Sequence, residues 1–169
     1  MIKSEIYKIT LDTLIKEANN LNSDSFNIFL QNGIKIDGEI EQYDECAVQV
    51  KREGQSSIVN SDTINTITVN DQNLIEKLLS QLNEVENTAL FNEKFNTELC
   101  EPAIQSEMDI EMFFLNRISI SGRLLRYGGD VLVIFSKIRD RKTNEIVPQL
   151  QIVVTDNVVS GSIKTEIFF

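Results

Sequence analysis

The chain is 169 residues long, carries 26 acidic against 16 basic side chains for a formal charge of −10, and contains two cysteines and no histidine. Its length admits two small units, each near the lower limit at which a core sustains a fold alone, and its acidity makes it a poor general nucleic-acid binder, any such contact being local, because phosphate affinity comes from Lys and Arg displacing counterions. Without histidine neither a zinc centre nor the usual acid–base catalysis is expected, so the composition points to a non-enzymatic protein that needs no cofactor and no metal.

Met1-Ile2-Lys3-Ser4-Glu5 is not a basic-then-apolar leader, and no apolar run is long enough to cross a membrane; the expectation is a soluble, cytoplasmic protein. Thr10 is placed to cap a helix in which Leu11, Leu14, Ile15, Ala18 and Leu21 recur at helical spacing, ended by Asn19-Asn20 and Asn22-Ser23-Asp24. From Phe26 the period becomes two: Phe26, Ile28 and Leu30 alternate, Asn32-Gly33 reverses the chain, and Ile34, Ile36, Gly38 and Ile40 alternate again. Gly38 in mid-strand marks a sharp bend. Tyr43 to Glu45 turns into Cys46-Ala47-Val48-Gln49-Val50, Glu53-Gly54-Gln55 turns again, and Ser57 to Asn60 and Thr63 to Val69 complete five short strands. Asp37, Glu39 and Glu41 share a strand face by their spacing and read as a solvated face rather than a metal or acid–base cluster.

Leu74, Ile75, Leu78, Leu79, Leu82 and Val85 predict a second helix, and Asn87 to Gln105 reads as an irregular acidic connector. Then the first β-unit returns. Phe29-Leu30-Gln31-Asn32-Gly33-Ile34-Lys35-Ile36-Asp37-Gly38-Glu39-Ile40 reappears, altered, as Phe113-Phe114-Leu115-Asn116-Arg117-Ile118-Ser119-Ile120-Ser121-Gly122-Arg123-Leu124. The match runs without a gap to Tyr43 and Tyr127, and after an insertion Ile58-Val59 to Asp62 matches Ile152-Val153 to Asp156. Strands are expected at Ile110 to Asn116, Arg117 to Arg126, Asp130 to Lys137, Leu150 to Val154 and Val158 to Ile163. The Leu74 helix either opens a duplicated helix-plus-β module or is a linker packed on the surface. The divisions are 1–70, 71–109 and 110–169. Cys46 and Cys100, with no CxxC partner, are expected as reduced structural thiols, an intramolecular disulfide being the alternative.

Charge is unevenly placed. Asp71 to Asp109 holds nine acids against Lys77 and Lys94, whereas Ile110 to the end holds eight Lys and Arg against six acids. The insertion contributes Lys137, Arg139, Arg141 and Lys142, which grip a phosphate backbone, meet an acidic segment of a neighbour, or form a solvated hairpin tip.

The run from Leu11 to Val69, with its leading helix, Asn32-Gly33-Ile34-Lys35, Gly38-Glu39-Ile40, Tyr43-Asp44 and Ile64-Asn65-Thr66-Ile67, resembles Hfq, the bacterial Sm-like RNA chaperone family. The second copy resembles it mainly through its match to the first. The resemblance implies a mainly β chain with short helices: two tandem Sm-like, five-stranded, bent open barrels, each preceded by a helix, whose edge strands pair between units to close a six-membered ring. Two units per chain then imply a trimer with pseudo-sixfold symmetry, a hexamer using the first copy alone or a monomer being the alternatives.

The implied function is RNA binding and RNA chaperoning in post-transcriptional regulation, with single-stranded RNA as partner. On the face that takes A-rich sequences the family's residues correspond to Phe29, Gly33, Ile34, Lys35 and Thr66, and in the second copy to Phe113 and Ser160, with Arg117 in place of the glycine. Without the family, Phe29 and Phe113 read as ordinary strand hydrophobes. The family's glutamine in that pocket is Asp37 here, which only accepts hydrogen bonds. The uridine-binding face is replaced by Glu45-Cys46 and Asn60-Ser61-Asp62, and by Gly129-Asp130 and Val154-Thr155-Asp156; the basic rim is reduced to Lys16. The alternative function is an Sm-fold oligomeric scaffold for proteins that has lost RNA.

Overall fold

The structure, a computed structural model, describes residues 1–164. It opens on helix α1 (Glu5–Lys16), whose N-cap is Ser4 and not Thr10: Ser4 Oγ accepts from Ile6 N at 3.2 Å, while Thr10 sits within the helix and donates to Ile6 O at 2.8 Å. The earlier start lengthens the apolar face, since Ile6 and Tyr7 are buried with Leu11 and Leu14. Tyr43 holds the helix from outside, its hydroxyl donating to Asp12 Oδ1 at 2.6 Å.

The first β-unit comprises β1 (Phe26–Leu30), β2 (Lys35–Ile36), β3 (Glu39–Tyr43), β4 (Ala47–Arg52), β5 (Gln55–Asn60) and β6 (Ile64–Val69). The strand expected over Ile34 to Ile40 is divided at Asp37-Gly38, because the chain leaves β1 at this point and pairs next with β4. Gly33 (φ 85) makes the tight reversal, where Asn32 Oδ1 accepts from Ile34 N at 3.0 Å. Asp44 explains the aromatic-Asp pair: its Oδ1 accepts from Cys46 N and Ala47 N at 2.7 and 2.8 Å, closing the turn into β4. The three acids of the bend are dispersed, with Asp37 beside Arg52 at 3.1 Å and Glu41 accepting from Ser56 at 2.9 Å.

Helix α2 (Gln72–Leu82) is capped by Asp71, whose Oδ1 accepts from Leu74 N at 3.0 Å. Its Leu74, Ile75, Leu78 and Leu82 join the same core as α1. The stretch after it is not irregular throughout. A π-helical segment (Phe95–Cys100) runs into α3 (Glu101–Ser106), placing Leu99, Cys100 and Ala103 in a second apolar core while Glu93, Glu98 and Glu101 stay exposed. The acids that read as connector form the solvated side of a helix. Both cysteines are free thiols; burial pushes that of Cys100 up to about 12, and Cys46 is exposed.

The second unit comprises β7 (Asp109–Phe114), β8 (Ser119–Gly128), β9 (Val131–Arg139), β10 (Ile146–Val154) and β11 (Val158–Ile163). The insertion lengthens one hairpin, whose outermost pair is Arg139 with Ile146. Pairing registers of the two units coincide. Phe29 opposes Thr66 as Phe113 opposes Ser160; Val48 opposes Val59 as Leu132 opposes Val153; Ile40 opposes Val50 as Leu124 opposes Ile134. Both irregularities recur too, between Phe29 and Leu30 matched by Val158 to Ser160, and between Ile40 and Gln42 matched by Leu124 to Arg126.

Among the described residues all pairing between strands is antiparallel, and the sheets are not closed into barrels. An eight-stranded sheet runs β11-β7-β8-β9-β10-β6-β1-β2, and a three-stranded sheet runs β3-β4-β5. The units are joined edge to edge through β6 and β10, with Val69, Thr68, Ile67 and Thr66 opposite Leu150, Gln151, Ile152 and Val153. This junction leaves β5 on one unit and β11 on the other as outer strands. No helix among the described residues is long and apolar enough to cross a membrane.

Candidate nucleic-acid interface

The β6–β10 junction creates a pocket. Phe29 lines it from β1, Asn65, Thr66 and Thr68 from β6, Gln149 and Gln151 from β10, and Phe114, Ile118 and Ile120 from the second unit. Its volume is about 170 Å³, on the scale of the ~150 Å³ apolar cavity that admits a benzene ring. One flat ring can enter between apolar walls and meet polar groups below.

Those polar groups are ordered by one another. Thr66 Oγ1 lies 3.3 Å from Thr68 Oγ1, Thr68 donates to Gln151 Oε1 at 2.6 Å, Gln151 Nε2 donates to Gln149 Oε1 at 2.8 Å, and Gln149 Nε2 donates to Asn70 Oδ1 at 2.8 Å. Each glutamine is thereby fixed in orientation while retaining one N–H and one lone pair for a ligand. Asn65 is only 3% exposed, and its Oδ1 has no hydrogen-bond partner. A buried, unpaired acceptor costs about 1–3 kcal/mol, which a donor in the pocket offsets.

The candidate residues do not form one site. Phe29, half-buried, and Thr66 meet in the pocket as opposed residues of β1 and β6. Gly33, Ile34 and Lys35 lie at the outer end of the eight-stranded sheet, with Ile34 53% exposed. Phe113 and Arg117 belong to the second unit, where Arg117 takes the left-handed backbone of its counterpart Gly33, at φ 63. Lys137, Arg139, Arg141 and Lys142 are exposed on the long hairpin, and alternation along β9 places Lys137 and Arg139 on the sheet face opposite Gln149 and Gln151. Arg139 is turned onto its own hairpin tip, donating to Asn144 O at 2.9 Å. Asn65, Phe114, Ile118, Ile120, Gln149 and Gln151 were not singled out from the sequence; what joins them is the choice of β10 as partner of β6.

The positions corresponding to the uridine face are occupied by the chain's own first residues. The Met1 ammonium pairs with Asp62, Ile2 N donates to Glu45 O at 2.9 Å, Lys3 N donates to Asp130 Oδ2 at 3.1 Å, and the Tyr7 and Ser61 hydroxyls lie 3.1 Å apart. Beside this segment Asp130 is 2% exposed with Oδ1 unpartnered, and burial raises its carboxyl above the ordinary 3.8, the Lys3 N–H opposing that shift. A raised carboxyl destabilises the fold when ionised, so its contribution is most favourable below pH 3.8 and is lost as pH rises through the elevated value. Asp130→Asn is accordingly expected to melt higher than the parent at pH 7, the gap narrowing on acidification. Melting curves across pH check this, and a gap independent of pH would sink it.

Residues 6–74 match the family model of the Hfq protein. No curated protein matches the chain.

Proposed function

From the match of residues 6–74 to the family model of the Hfq protein, we propose that the chain is an RNA-binding, Sm-like protein that acts as an RNA chaperone in post-transcriptional regulation and seats a base of single-stranded, A-rich RNA in the junction pocket. The observation that carries this reading is the pocket itself. It combines the half-buried ring of Phe29 with the ordered amides of Gln149 and Gln151 and the unpartnered Asn65 carbonyl. A base needs both parts, a face to stack on and donors and acceptors at its edge.

The assembly we propose is a trimer. The β6–β10 junction is the strand pairing that a ring of such units repeats, and β5 and β11 stand ready to make it again between chains. Carrying the registers across the repeat sets Ser56, Ser57, Ile58 and Val59 opposite Ile163, Ser162, Gly161 and Ser160 of the partner subunit. Three chains then close six units, with β5 and β11 paired at each junction between chains.

Phe29→Ala is expected to weaken oligoadenylate binding about tenfold or more, since stacking a base is worth roughly 1–3 kcal/mol. It removes no charge, so the slope of log affinity against log salt stays unchanged. Fluorescence anisotropy of A-rich and U-rich oligomers over a salt series measures both quantities. A second reading, a protein-binding scaffold on the same fold, is favoured by the self-covered opposite face with its acids Glu45, Asp62 and Asp130. Absence of binding to either oligomer at low salt would decide for it.

A further inference from the structure

We infer that each chain carries a single competent base pocket, the one at its internal β6–β10 junction, and that the counterpart built on Phe113 is not a second one. This rests on the RNA-binding reading above, and it departs from the equivalence that a duplicated β-unit suggests.

The coincident registers allow the two pockets to be compared position by position. Phe29 and Thr66 have Phe113 and Ser160 as counterparts, so a ring and a hydroxyl recur. The rest of the polar floor recurs only in part: Gln149, opposite Ser136, keeps its amide as Gln55, opposite Arg52, whereas the other members change. Thr68 becomes Ser162 and Gln151 becomes Ser57, which on ring closure belongs to the partner subunit. The bond of 2.6 Å from Thr68 to Gln151 is therefore replaced by two short hydroxyl side chains, and neither extends an amide under a base. Asn65, whose buried Oδ1 lacks a partner in the internal pocket, becomes Val159, which offers a base edge nothing to bond. Phe114, an aromatic wall of the internal pocket, becomes Leu30.

Arg117 adds to the difference. With the same left-handed backbone as Gly33, φ 63 against φ 85, it brings a long cationic side chain where Gly33 leaves open space. What survives at the Phe113 position is a ring beside the Ser160 and Ser162 hydroxyls, without the Thr68–Gln151 bond and without a counterpart of the Asn65 amide. A bare ring stacks any base weakly; selection of one base requires edge contacts that are in place before it arrives. A ring of three chains would thus read RNA at three alternating positions instead of six.

The test is a titration of 2-aminopurine placed within a short oligoadenylate, whose fluorescence falls on stacking, against the full-length protein. The inference expects one quenching site per chain. Gln151→Ala and Asn65→Val should each weaken it about tenfold or more, whereas Phe113→Ala should change it less than about twofold. Circular dichroism and native mass spectrometry of every variant separate lost binding from lost fold, and Gln151→Glu, which keeps the shape and the acceptor, provides a second variant if the alanine form fails to fold. Two sites per chain, or a Phe113→Ala defect as large as that of Phe29→Ala, would overturn the single pocket while leaving RNA binding intact. Absence of quenching by the unaltered protein would overturn the RNA reading and this inference with it.

Discussion

Ile58→Asp combined with Val159→Asp is expected to convert a trimer into monomers of 19.2 kDa while leaving each chain folded. Within one chain these side chains are 70% and 59% exposed, and surface substitutions of this kind change stability by about 0.5 kcal/mol or less. Their counterparts tell what closure does to them. Ile152, the equivalent of Ile58, is 0% exposed under β6, and Asn65, the equivalent of Val159, is 3% exposed. Ring closure would therefore bury two carboxylates without partners at each of three junctions, and desolvating an unpaired ionised group costs several kcal/mol. A contact held by a few strand hydrogen bonds and apolar side chains does not survive that. Native mass spectrometry or analytical ultracentrifugation reads the outcome. An unaltered chain that is already monomeric at micromolar concentration, or a double variant that remains trimeric, would refute the proposed closure.

How much of this was legible follows from where the information lies. The strands of both β-units are legible because their signals are local: alternating apolar residues, the Asn32-Gly33 reversal, and glycine at 38 and again at 122. Where two local signals compete, the pattern misleads. The first helix begins at Glu5 because Ser4 caps it and Ile6 and Tyr7 extend its buried face, yet Thr10 offered an equally plausible cap closer to the leucine run. Acidic residues between Glu93 and Glu101 concealed a helical segment whose apolar side, Leu99, Cys100 and Ala103, is short. The pocket was the least legible part. Phe29 and Thr66 could be named, but Gln149 and Gln151 lie beside the insertion, where the repeat loses register, and they reach Thr68 only because two distant edges pair. Long-range pairing of this kind is specified jointly by edges, cores and turn geometry, not by any local pattern.

Gly122→Ala and Gly38→Ala are each expected to lower the free energy of unfolding by about 3 kcal/mol or more. Both glycines sit where a strand exchanges partners. In the first unit β2 pairs with β1 before Gly38 and β3 pairs with β4 after it; in the second, β8 pairs with β7 up to Arg123 and with β9 from Arg123 onward. To make that exchange the strand folds over its neighbour at a distance no side chain permits. A Cβ on Gly38 would lie 2.6 Å from Lys51 O, and one on Gly122 would lie 2.3 Å from Phe135 O. These obstacles are backbone carbonyls within a paired strand, so relief requires moving the sheet and not merely a flexible side-chain end. At Gly38 the backbone, φ 137, adds a conformational cost of its own. Gly54→Ala separates the two causes, since Gly54 has φ 80 but open space around its missing Cβ, and about 1–2 kcal/mol is expected there. The bend also aims Ile118 and Ile120 over the pocket, so a Gly122→Ala protein that still folds should lose affinity for oligoadenylate along with stability. Denaturant unfolding of the three variants sets the scale, and a Gly122→Ala loss no larger than that of Gly54→Ala would show that the sheet yields to the added methyl group.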